Sequence, residues 1–345
     1  MGASQKKGGV RVALIILCIV LAIILAAMSG LAIYVTYLYN RMEYVAQDTT
    51  VTPEDAQSIA LQDAEKIDPN STEPIVDHED VTVTEEYVYH EGQGSHIVNI
   101  MLVGQDRRNG GGRSNSDVMI LCTFNTKDKS ITLTSFMRDL YVNIPGAGMN
   151  KLNAAYPMGG YTLLGETLLE NFGVKVDHYV EVDFSGFKKA VNILGGIDMY
   201  LTAAEAEYMN TTPWDGLNSE GWALHAGVNH LNGDMALAYS RIRAIGYDYE
   251  RTERQRKVLT AMIDKCKGMN IGTAMNLMNQ LLGCVRTDMT DAEITRYALE
   301  LFPLLSGSLT QQRIPIEGSY EDNHNVIIPD YDMNHQFLVD TLMPD

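Results

Sequence analysis

The chain has 345 residues, a hydrophobic fraction of 46% and a formal net charge of −18. This length allows one large domain or two modest ones with tails. The negative charge argues against a general nucleic-acid binder, because such proteins present a basic surface to phosphates; no nucleic-acid partner is expected.

The N-terminal region predicts one membrane-spanning helix. Residues 12–40 carry no charged side chain, and 29 residues form a helix about 43 Å long at ~1.5 Å per residue. That length exceeds the roughly 30 Å hydrocarbon core, so the helix must tilt. Lys6, Lys7 and Arg11 precede it, which predicts that residues 1–11 are cytoplasmic and that everything after the helix lies outside. A cleaved signal peptide is the alternative, but its apolar core would span only about 7–15 residues.

Residues 41–94 predict an acidic extracytoplasmic stalk. Between Glu43 and Glu91 there are 14 acidic residues and one basic residue, Lys66. Few large apolar side chains occur there, so the segment cannot bury much surface.

Residues 95–345 predict an α/β domain. Apolar or alternating runs indicate strands at residues 97–103, 118–124, 130–135, 179–184 and 197–201. Helical periodicity indicates helices at residues 161–172, 186–194, 233–239, 249–267, 271–282 and 291–305. Interleaved strands and helices favour a layered α/β architecture.

Arginines are the most informative residues of this domain. Of twelve arginines after residue 95, nine lie in four short stretches: Arg107, Arg108 and Arg113; Arg138; Arg241 and Arg243; and Arg251, Arg254 and Arg256. Guanidinium groups donate in pairs to phosphate oxygens and stay charged at any relevant pH. The pattern predicts a pyrophosphate site, with scattered surface salt bridges as the alternative.

Three local patterns favour the pyrophosphate site. A glycine-rich loop runs from Asp106, at a strand end, to Asp117, and two flanking carboxylates can share a cation such as Mg²⁺. If residues 241–243 are extended, both arginines there point to one side. Arg251, Arg254 and Gln255 share a helix face, although i,i+3 pairs such as Glu253 with Arg256 offer a structural explanation for part of this cluster.

Other catalytic or structural motifs are missing from the sequence. It contains no G-x-S-x-G elbow, no H-E-x-x-H motif and no C-x-x-C pair. The four cysteines therefore suggest neither a disulfide framework nor a zinc site.

The stretch from Ile97 to Lys267 resembles the LytR-CpsA-Psr family, bacterial enzymes that attach glycopolymers to the cell wall. The motifs that carry the resemblance are Gly104 to Arg108, Arg113 to Met119, Ser135 to Asp139, Ile144 to Gly146, Lys151 to Tyr156, His178 to Val180, Leu194 to Asp198, Leu231 to Gly233, Ala238 to Arg243, and Asp248 through Arg251 to Gln255. The resemblance implies an α/β/α sandwich around a central mixed sheet, which encloses a lipid tail.

The resemblance also implies a reaction and its residues. A glycopolymer would pass from a polyprenyl-pyrophosphate carrier, a membrane lipid, to peptidoglycan, with Mg²⁺ or alternatively Mn²⁺. Asp106 and Asp117 would hold the metal and, with Arg138, act in catalysis. The pyrophosphate-binding residues would be Arg108, Arg113, Arg138, Lys151, Arg241, Arg243, Arg251, Arg254 and Gln255.

Two residues depart from the family pattern. Asn115 stands where the family usually has arginine, so either Arg113 replaces that guanidinium from a shifted loop or the contact is lost. Met137 replaces a proline, which loosens the turn before Arg138.

Two further functions remain open at this point. Water in place of the sugar acceptor would make the chain a pyrophosphatase for the same lipid. A non-catalytic envelope binding or regulatory module is the other.

Overall fold

The computed structural model describes residues 43–44, 96–105, 116–214, 216–246, 248–267, 269–323 and 326–342. The predicted tail at 1–11, the predicted membrane helix at 12–40 and nearly all of the predicted stalk lie outside these residues. Among the helices in the described ranges, none combines the length and apolar character needed to cross a membrane.

A seven-stranded mixed sheet forms the centre of the described structure. The strands in the described ranges are β1 (Glu43–Tyr44), β2 (Ile97–Gln105), β3 (Ser116–Asn125), β4 (Ser130–Phe136), β5 (Tyr141–Ile144), β6 (Gly148–Lys151), β7 (His178–Asp183), β8 (Ile197–Leu201), β9 (Gly227–Leu231), β10 (Arg286–Thr287), β11 (Ser308–Ile314), β12 (Tyr320–Asn323) and β13 (Val326–Pro329). The central sheet has the order β1-β10-β7-β2-β3-β4-β11. β5-β6, β8-β9 and β12-β13 form two-stranded sheets.

The register places several strand ends together. β2 and β7 are parallel, β4 and β11 are parallel, and β3 runs antiparallel to both β2 and β4. The carboxyl ends of β2, β4, β7 and β11 therefore share one edge of the sheet, and β3 begins at that edge. We refer to it as the carboxyl edge.

In the part of the chain that the structure describes, eight α-helices surround the sheet. They are α1 (Ala155–Phe172), α2 (Phe184–Ile193), α3 (Ala203–Thr211), α4 (Gly233–Ser240), α5 (Asp248–Cys266), α6 (Ile271–Leu282), α7 (Asp291–Leu301) and α8 (Tyr331–Leu342). Short 3₁₀ turns lie at Leu152–Ala154 and Phe302–Ser306.

Alternation along the central strands builds two hydrophobic cores. In β3, Met119 and Leu121 belong to a core shared with α1 and α8. Ile120 and Cys122 point to the opposite face and pack with α6, α7 and part of α5. Helices thus cover both faces of a mixed sheet, as the α/β prediction requires. A third core joins α2, α3, α4, β8, β9 and the other side of α5.

The start of α1 differs from the prediction for a physical reason. The helix begins at Ala155 instead of residue 161, but Gly159 and Gly160 interrupt it with non-helical dihedral angles. Gly160 has φ of +64°, which a residue with a side chain rarely adopts. The regular segment therefore starts where the periodicity indicated, and Gly173 ends it in a left-handed conformation.

The described cysteines carry no disulfide bond. Cys122 is buried, and Cys266 and Cys284 are half-buried, all as free thiols. Burial raises the pKa of Cys122 to about 12, so this side chain behaves as a small apolar group.

Candidate active site

Arg138 and Lys151 meet at the carboxyl edge through a shared acid. Arg138 Nε donates to Asp139 Oδ2 at 3.1 Å, and Lys151 Nζ donates to Asp139 Oδ1 at 2.8 Å. The Asn153 amide donates to the Arg138 carbonyl, and the Leu152 amide donates to the Leu140 carbonyl. These backbone bonds fix the turn after β4 against the end of β6. Two predicted phosphate-binding cations are therefore brought together, with one carboxylate between them.

The charge state of Asp139 follows from this arrangement. Partial burial alone would raise the pKa of Asp139, but the hydrogen bonds and charges of Lys151 and Arg138 outweigh it and hold the pKa below its usual range. Asp139 is ionised at neutral pH, so it neutralises one of two positive charges. The group keeps a net positive charge at the carboxyl edge.

The segment after α4 brings Arg241 to the same edge. Arg241 caps α4 with turn-like backbone angles, φ −102° and ψ −1°, so residues 241–243 do not continue as the strand that the prediction assumed. Ile242 is fully buried between half-buried Arg241 and exposed Arg243. The Arg241 guanidinium lies 5.0 Å from the ring centre of Phe184, the residue after β7. Residues 241–243 therefore alternate in burial although they form a turn. The buried side chain of Ile242 holds this turn in place.

Arg254 is committed to contacts inside the protein. Its Nε donates to Glu205 Oε1 at 2.9 Å, and the two side chains are 5% and 9% exposed. Its Nη1 and Nη2 donate to the carbonyls of Ile242 and Ile245, at 3.3 and 2.7 Å. Burial favours a higher pKa for Glu205, but hydrogen bonds from Thr202 and Arg254 outweigh it and lower the pKa. In this structure Arg254 holds the segment that carries Arg241 and Arg243, and its guanidinium is not directed to open space.

The rest of the predicted cluster lies on the first turns of α5. Arg251 is buried and Gln255 is half-buried. The Thr252 hydroxyl lies 3.9 Å from the sulfur of Met137, the residue before Arg138. The first turns of α5 therefore pack on the turn that presents Arg138.

The pairing of Glu253 with Arg256 that the sequence offered as a structural explanation is wrong. Glu253 Oε1 binds Lys257 Nζ at 2.7 Å instead, one helical turn away. Arg256, one helical turn after Thr252, is 6% exposed.

The loop between β2 and β3 lies outside the described residues. Asp106, Arg108 and Arg113 are in it, and Asp117 is described only as a strand residue without its side chain. Gln105 pairs with Ser116, so the loop leaves and re-enters the sheet at the carboxyl edge. Within the described ranges, no three His, Cys, Asp or Glu side chains form a group that could bind a metal.

An apolar cavity lies between the sheet and the helices of the second core. Its volume is about 220 Å³. It is lined by Ile100 and Val180 of the sheet, by Met278 and Leu282 of α6, by Ile294, Tyr297, Ala298 and Leu301 of α7, and by Val285, Thr287 and Met289. Such a lining suits a hydrocarbon chain and gives almost no hydrogen bonds to a polar ligand.

Two residues of the site were missed by sequence reasoning. Asp139 stood inside the Ser135-to-Asp139 motif, but nothing local showed that Lys151 also reaches it. Glu205 carried a detectable signal, since Thr202 and Glu205 form a capping box at the start of α3. Its ion pair with Arg254, 49 residues away, left no trace in the local pattern.

Comparisons with known proteins identify the relatives of this chain. A sequence model described as the LytR_cpsA_psr family matches residues 55–340. The chain is 31% identical over 229 residues to the polyisoprenyl-teichoic acid–peptidoglycan teichoic acid transferase TagU of Enterococcus faecalis, covering 65% of this chain and 71% of TagU. The transferase TagT of Bacillus subtilis and the regulatory protein MsrR of Staphylococcus aureus show the same identity and the same share of this chain, with 69% and 66% of their own lengths covered.

Solved structures share the fold. TagT bound to LIIa-WTA aligns with a TM-score of 0.58 and 27% identity, over 75% of this chain and 95% of TagT. TagT (YwtF) with bound octaprenyl pyrophosphate lipid aligns with a TM-score of 0.55 and 26% identity, over 75% and 96% of the two chains.

Proposed function

This chain belongs to the LytR-CpsA-Psr family, and on that premise we propose that it transfers a glycopolymer from a polyprenyl-pyrophosphate carrier to peptidoglycan in the bacterial cell envelope. The names of TagU and TagT support the reaction class, and the octaprenyl pyrophosphate lipid bound to TagT supports the carrier.

One observation carries the proposal: Arg138 and Lys151 share Asp139 at the carboxyl edge. Ligands of α/β sheets bind beyond the carboxyl ends of the strands. Phosphoryl transfer depends on positioning and on neutralising charge, more than on a protein nucleophile. Two cations held rigid by one acid suit a diphosphate, because they stay in place while charge develops on its oxygens.

The other predicted residues act around this pair. Arg108, Arg113, Arg241, Arg243, Arg251 and Gln255 add donors to the diphosphate. We assign Arg254 a positioning role, since it binds the carbonyls of the segment that carries Arg241 and Arg243.

A divalent cation fits the residues of the β2–β3 loop. Asp106 and Asp117 supply carboxylate oxygens, the hard donors that Mg²⁺ prefers and that Mn²⁺ also accepts. They follow Gln105 and Ser116, which are paired neighbours in the sheet. When bound, the cation would neutralise negative charge on the diphosphate.

The apolar cavity offers a place for part of the polyprenyl chain. It lies between the sheet on one side and α6 and α7 on the other. The same sheet carries Arg138 at its carboxyl edge. Burying hydrocarbon there stabilises the complex by roughly 25 cal/mol per Å² of apolar surface. Together with the predicted membrane helix at residues 12–40, this cavity supports our proposal that the reaction takes place at the outer surface of a bacterial membrane.

A reconstituted reaction tests the proposal. The full chain in detergent is incubated with Mg²⁺, a polyprenyl-diphosphate oligosaccharide with a labelled glycan, and peptidoglycan fragments. Covalent label on peptidoglycan supports the transferase. Release of free phosphorylated glycan alone indicates a pyrophosphatase. Binding without turnover indicates a regulatory module, the function that the name of MsrR suggests for that relative.

Removal of the cation gives a second readout. Chelation should abolish transfer, and added Mg²⁺ should restore it. If turnover is the same with the chelator present, Asp106 and Asp117 do not hold a required metal.

A further inference from the structure

Two arginines that have no role above, buried Arg256 of α5 and half-buried Arg313 of β11, lie where α5 packs on the sheet. Arg256 is 6% exposed. It follows Thr252 by one helical turn and precedes Leu259, which packs on the second core, so its side chain faces the sheet. Arg313 lies on β11, opposite Ser135 of β4.

Arg313 projects to the same side of the sheet as α5. Gln311, two residues earlier on β11, donates to the Thr260 hydroxyl of α5 at 2.8 Å. Residues two apart on a strand share a face, so Arg313 also faces α5. Its guanidinium lies 4.2 Å from the ring centre of Tyr249 and 5.9 Å from that of Tyr320. The two aromatic rings hold the cation in a fixed orientation.

The two positive charges are not neutralised by neighbouring acids. Burial lowers the pKa of Arg256; Glu253 opposes that effect, and the charge of Arg313 adds to it. Glu253 is already bound to Lys257. The carboxylate of Asp322, whose charge raises the pKa of Tyr249, is exposed to solvent. In the part of the chain that the structure describes, neither arginine forms an ion pair within 4 Å.

Several donors in this place also have no acceptor. Nε and Nη1 of Arg256, Nη1 of Arg313 and the hydroxyl of Ser135 are buried without a hydrogen-bond partner in the described structure. Buried polar atoms in native proteins are nearly always paired, and an unpaired buried charge is costly. Two guanidinium groups that repel each other electrostatically and one hydroxyl therefore have buried donors without an acceptor, which an anion would supply.

We propose that Arg256, Arg313 and Ser135 form a second phosphoryl-binding site, separate from Arg138 and Lys151. The fork of a guanidinium matches phosphoryl oxygens in geometry and charge, and two forks with one hydroxyl match a dianion. The site lies close to the first one: Thr252, one turn from Arg256, touches Met137, the residue before Arg138. A phosphoryl group of the same lipid-linked substrate can therefore reach it, either from the carrier head group or from a phosphodiester of the polymer. The assignment of the lipid-linked substrate as the source of this phosphoryl group rests on the proposed function. The existence of the phosphoryl-binding site does not.

Thermal unfolding of the full chain in detergent, with and without inorganic phosphate, tests the site. Because Arg138 also attracts phosphate, the measurements use an Arg138→Ala background. We expect phosphate to raise the melting temperature in that background. Arg256→Met should abolish the rise and should melt no lower than its parent without phosphate, because it removes an unpaired buried charge. Lys257→Gln removes a neighbouring exposed charge and should keep the rise.

Three results would overturn the site. They are no phosphate-dependent rise in the Arg138→Ala chain, a rise that survives Arg256→Met, or a large loss of stability in Arg256→Met without phosphate, which would show a structural role. If Arg256→Met fails to fold, Arg256→Lys keeps the charge without the fork. It should bind phosphate at least tenfold more weakly by calorimetry, and unchanged binding contradicts the proposal.

Two further ligands identify the source of the phosphoryl group. Weaker binding of a short-chain polyprenyl diphosphate to the Arg256 variant assigns the head group, and weaker binding of a glycerol-phosphate oligomer assigns the polymer. If inorganic phosphate binds but the affinity of neither ligand depends on Arg256, the site takes an adventitious ion only and the proposal fails. If Arg138→Ala abolishes transfer and substitution of Arg256 changes no ligand affinity, the second site is wrong but the proposed function still stands.

Discussion

Asp139 determines the geometry of the two cations at the carboxyl edge. Its pKa is lower in the folded protein, because Lys151 and Arg138 outweigh the effect of burial. Such a carboxylate stabilises the fold above its unfolded pKa of about 3.9, and this contribution is lost as the pH falls through the lower folded pKa. Asp139→Asn should therefore lower the free energy of unfolding at pH 7 by roughly 1 kcal/mol. The difference from the natural chain should shrink below about pH 4.

Urea unfolding of both chains at pH 7, 5 and 3 measures this difference. Asp340→Asn, at an exposed position on α8, is the control and should show little change at any pH. A gap between Asp139→Asn and the natural chain that stays constant from pH 7 to pH 3 would contradict the ion-pair explanation.

Arg138 is the residue on which the diphosphate site most depends. Arg138→Ala should lower kcat for transfer about 100-fold or more, the usual cost of losing one preorganised donor to a charged transition state. Arg296→Ala removes the same charge from an exposed position on α7 and should leave kcat unchanged. Initial rates at saturating carrier give the comparison. A fully active Arg138→Ala chain would remove Arg138 from the site.

The role of a single residue was predictable where a sequence motif contains it. It was not predictable where a contact between distant segments of the chain decides that role. Arg138 and Lys151 came from the family resemblance, and the structure places them on one acid. Arg254 came from the same resemblance and from helical spacing, yet its guanidinium binds Glu205 and two carbonyls. Spacing along a helix shows which residues share a face, but the partner of that face is set by packing of distant segments.

At the scale of elements, the ion pair between α3 and α5 positions the segment after α4. Removing one partner of a buried pair typically costs about 3–5 kcal/mol, because the other charge stays buried. Arg254→Met should therefore destabilise the chain strongly. Adding Glu205→Gln removes the orphan charge and keeps the capping box, which accepts Gln at that position. The double variant should regain most of the stability but still show a raised KM for the carrier, because the carbonyls of Ile242 and Ile245 remain unbound.

Chemical unfolding and steady-state kinetics on the two variants separate positioning from stability. The double variant with normal KM and kcat would show that Arg254 serves stability alone.

The apolar cavity between the sheet, α6 and α7 makes a prediction about carrier length. Ala298→Phe, on α7, adds a ring at the cavity wall and should fill part of the 220 Å³. Cavity-filling substitutions that fit the available space commonly stabilise proteins. The variant should bind a long polyprenyl diphosphate about tenfold more weakly and a very short one normally. Equal binding of both carriers by the variant and the natural chain would place the hydrocarbon elsewhere.

Long elements with clear periodicity were predictable, and polar or short ones were not. The strand at β3 and the helix at α6 agree with the prediction, since each has an apolar pattern of sufficient length. β11 was missed because its sequence, Ser-Leu-Thr-Gln-Gln-Arg-Ile, is largely polar, as an edge strand beside β4 allows. The helix predicted to residue 305 ends at Leu301 and continues as a 3₁₀ turn that contains a proline.

At the scale of the whole molecule, the predicted anchor and the lipid carrier share one surface. The apolar segment at residues 12–40 lies outside the described residues and stays a prediction, as does the acidic stalk that follows it. If both are correct, the enzyme meets its carrier by diffusion in two dimensions. Confinement of this kind raises the effective concentration without any new contact and can increase apparent affinity by about 10²–10⁴-fold.

Reconstitution of the full chain in vesicles tests this relation. With a long-chain carrier in the same vesicles, transfer should be at least tenfold faster than with carrier in separate vesicles, because a long chain leaves its bilayer slowly. A short carrier that dissolves in water should react equally well from either compartment, which controls for inactive enzyme. Equal rates for the long carrier in both arrangements would show that the N-terminal segment does not confine the catalytic domain to the surface of its substrate.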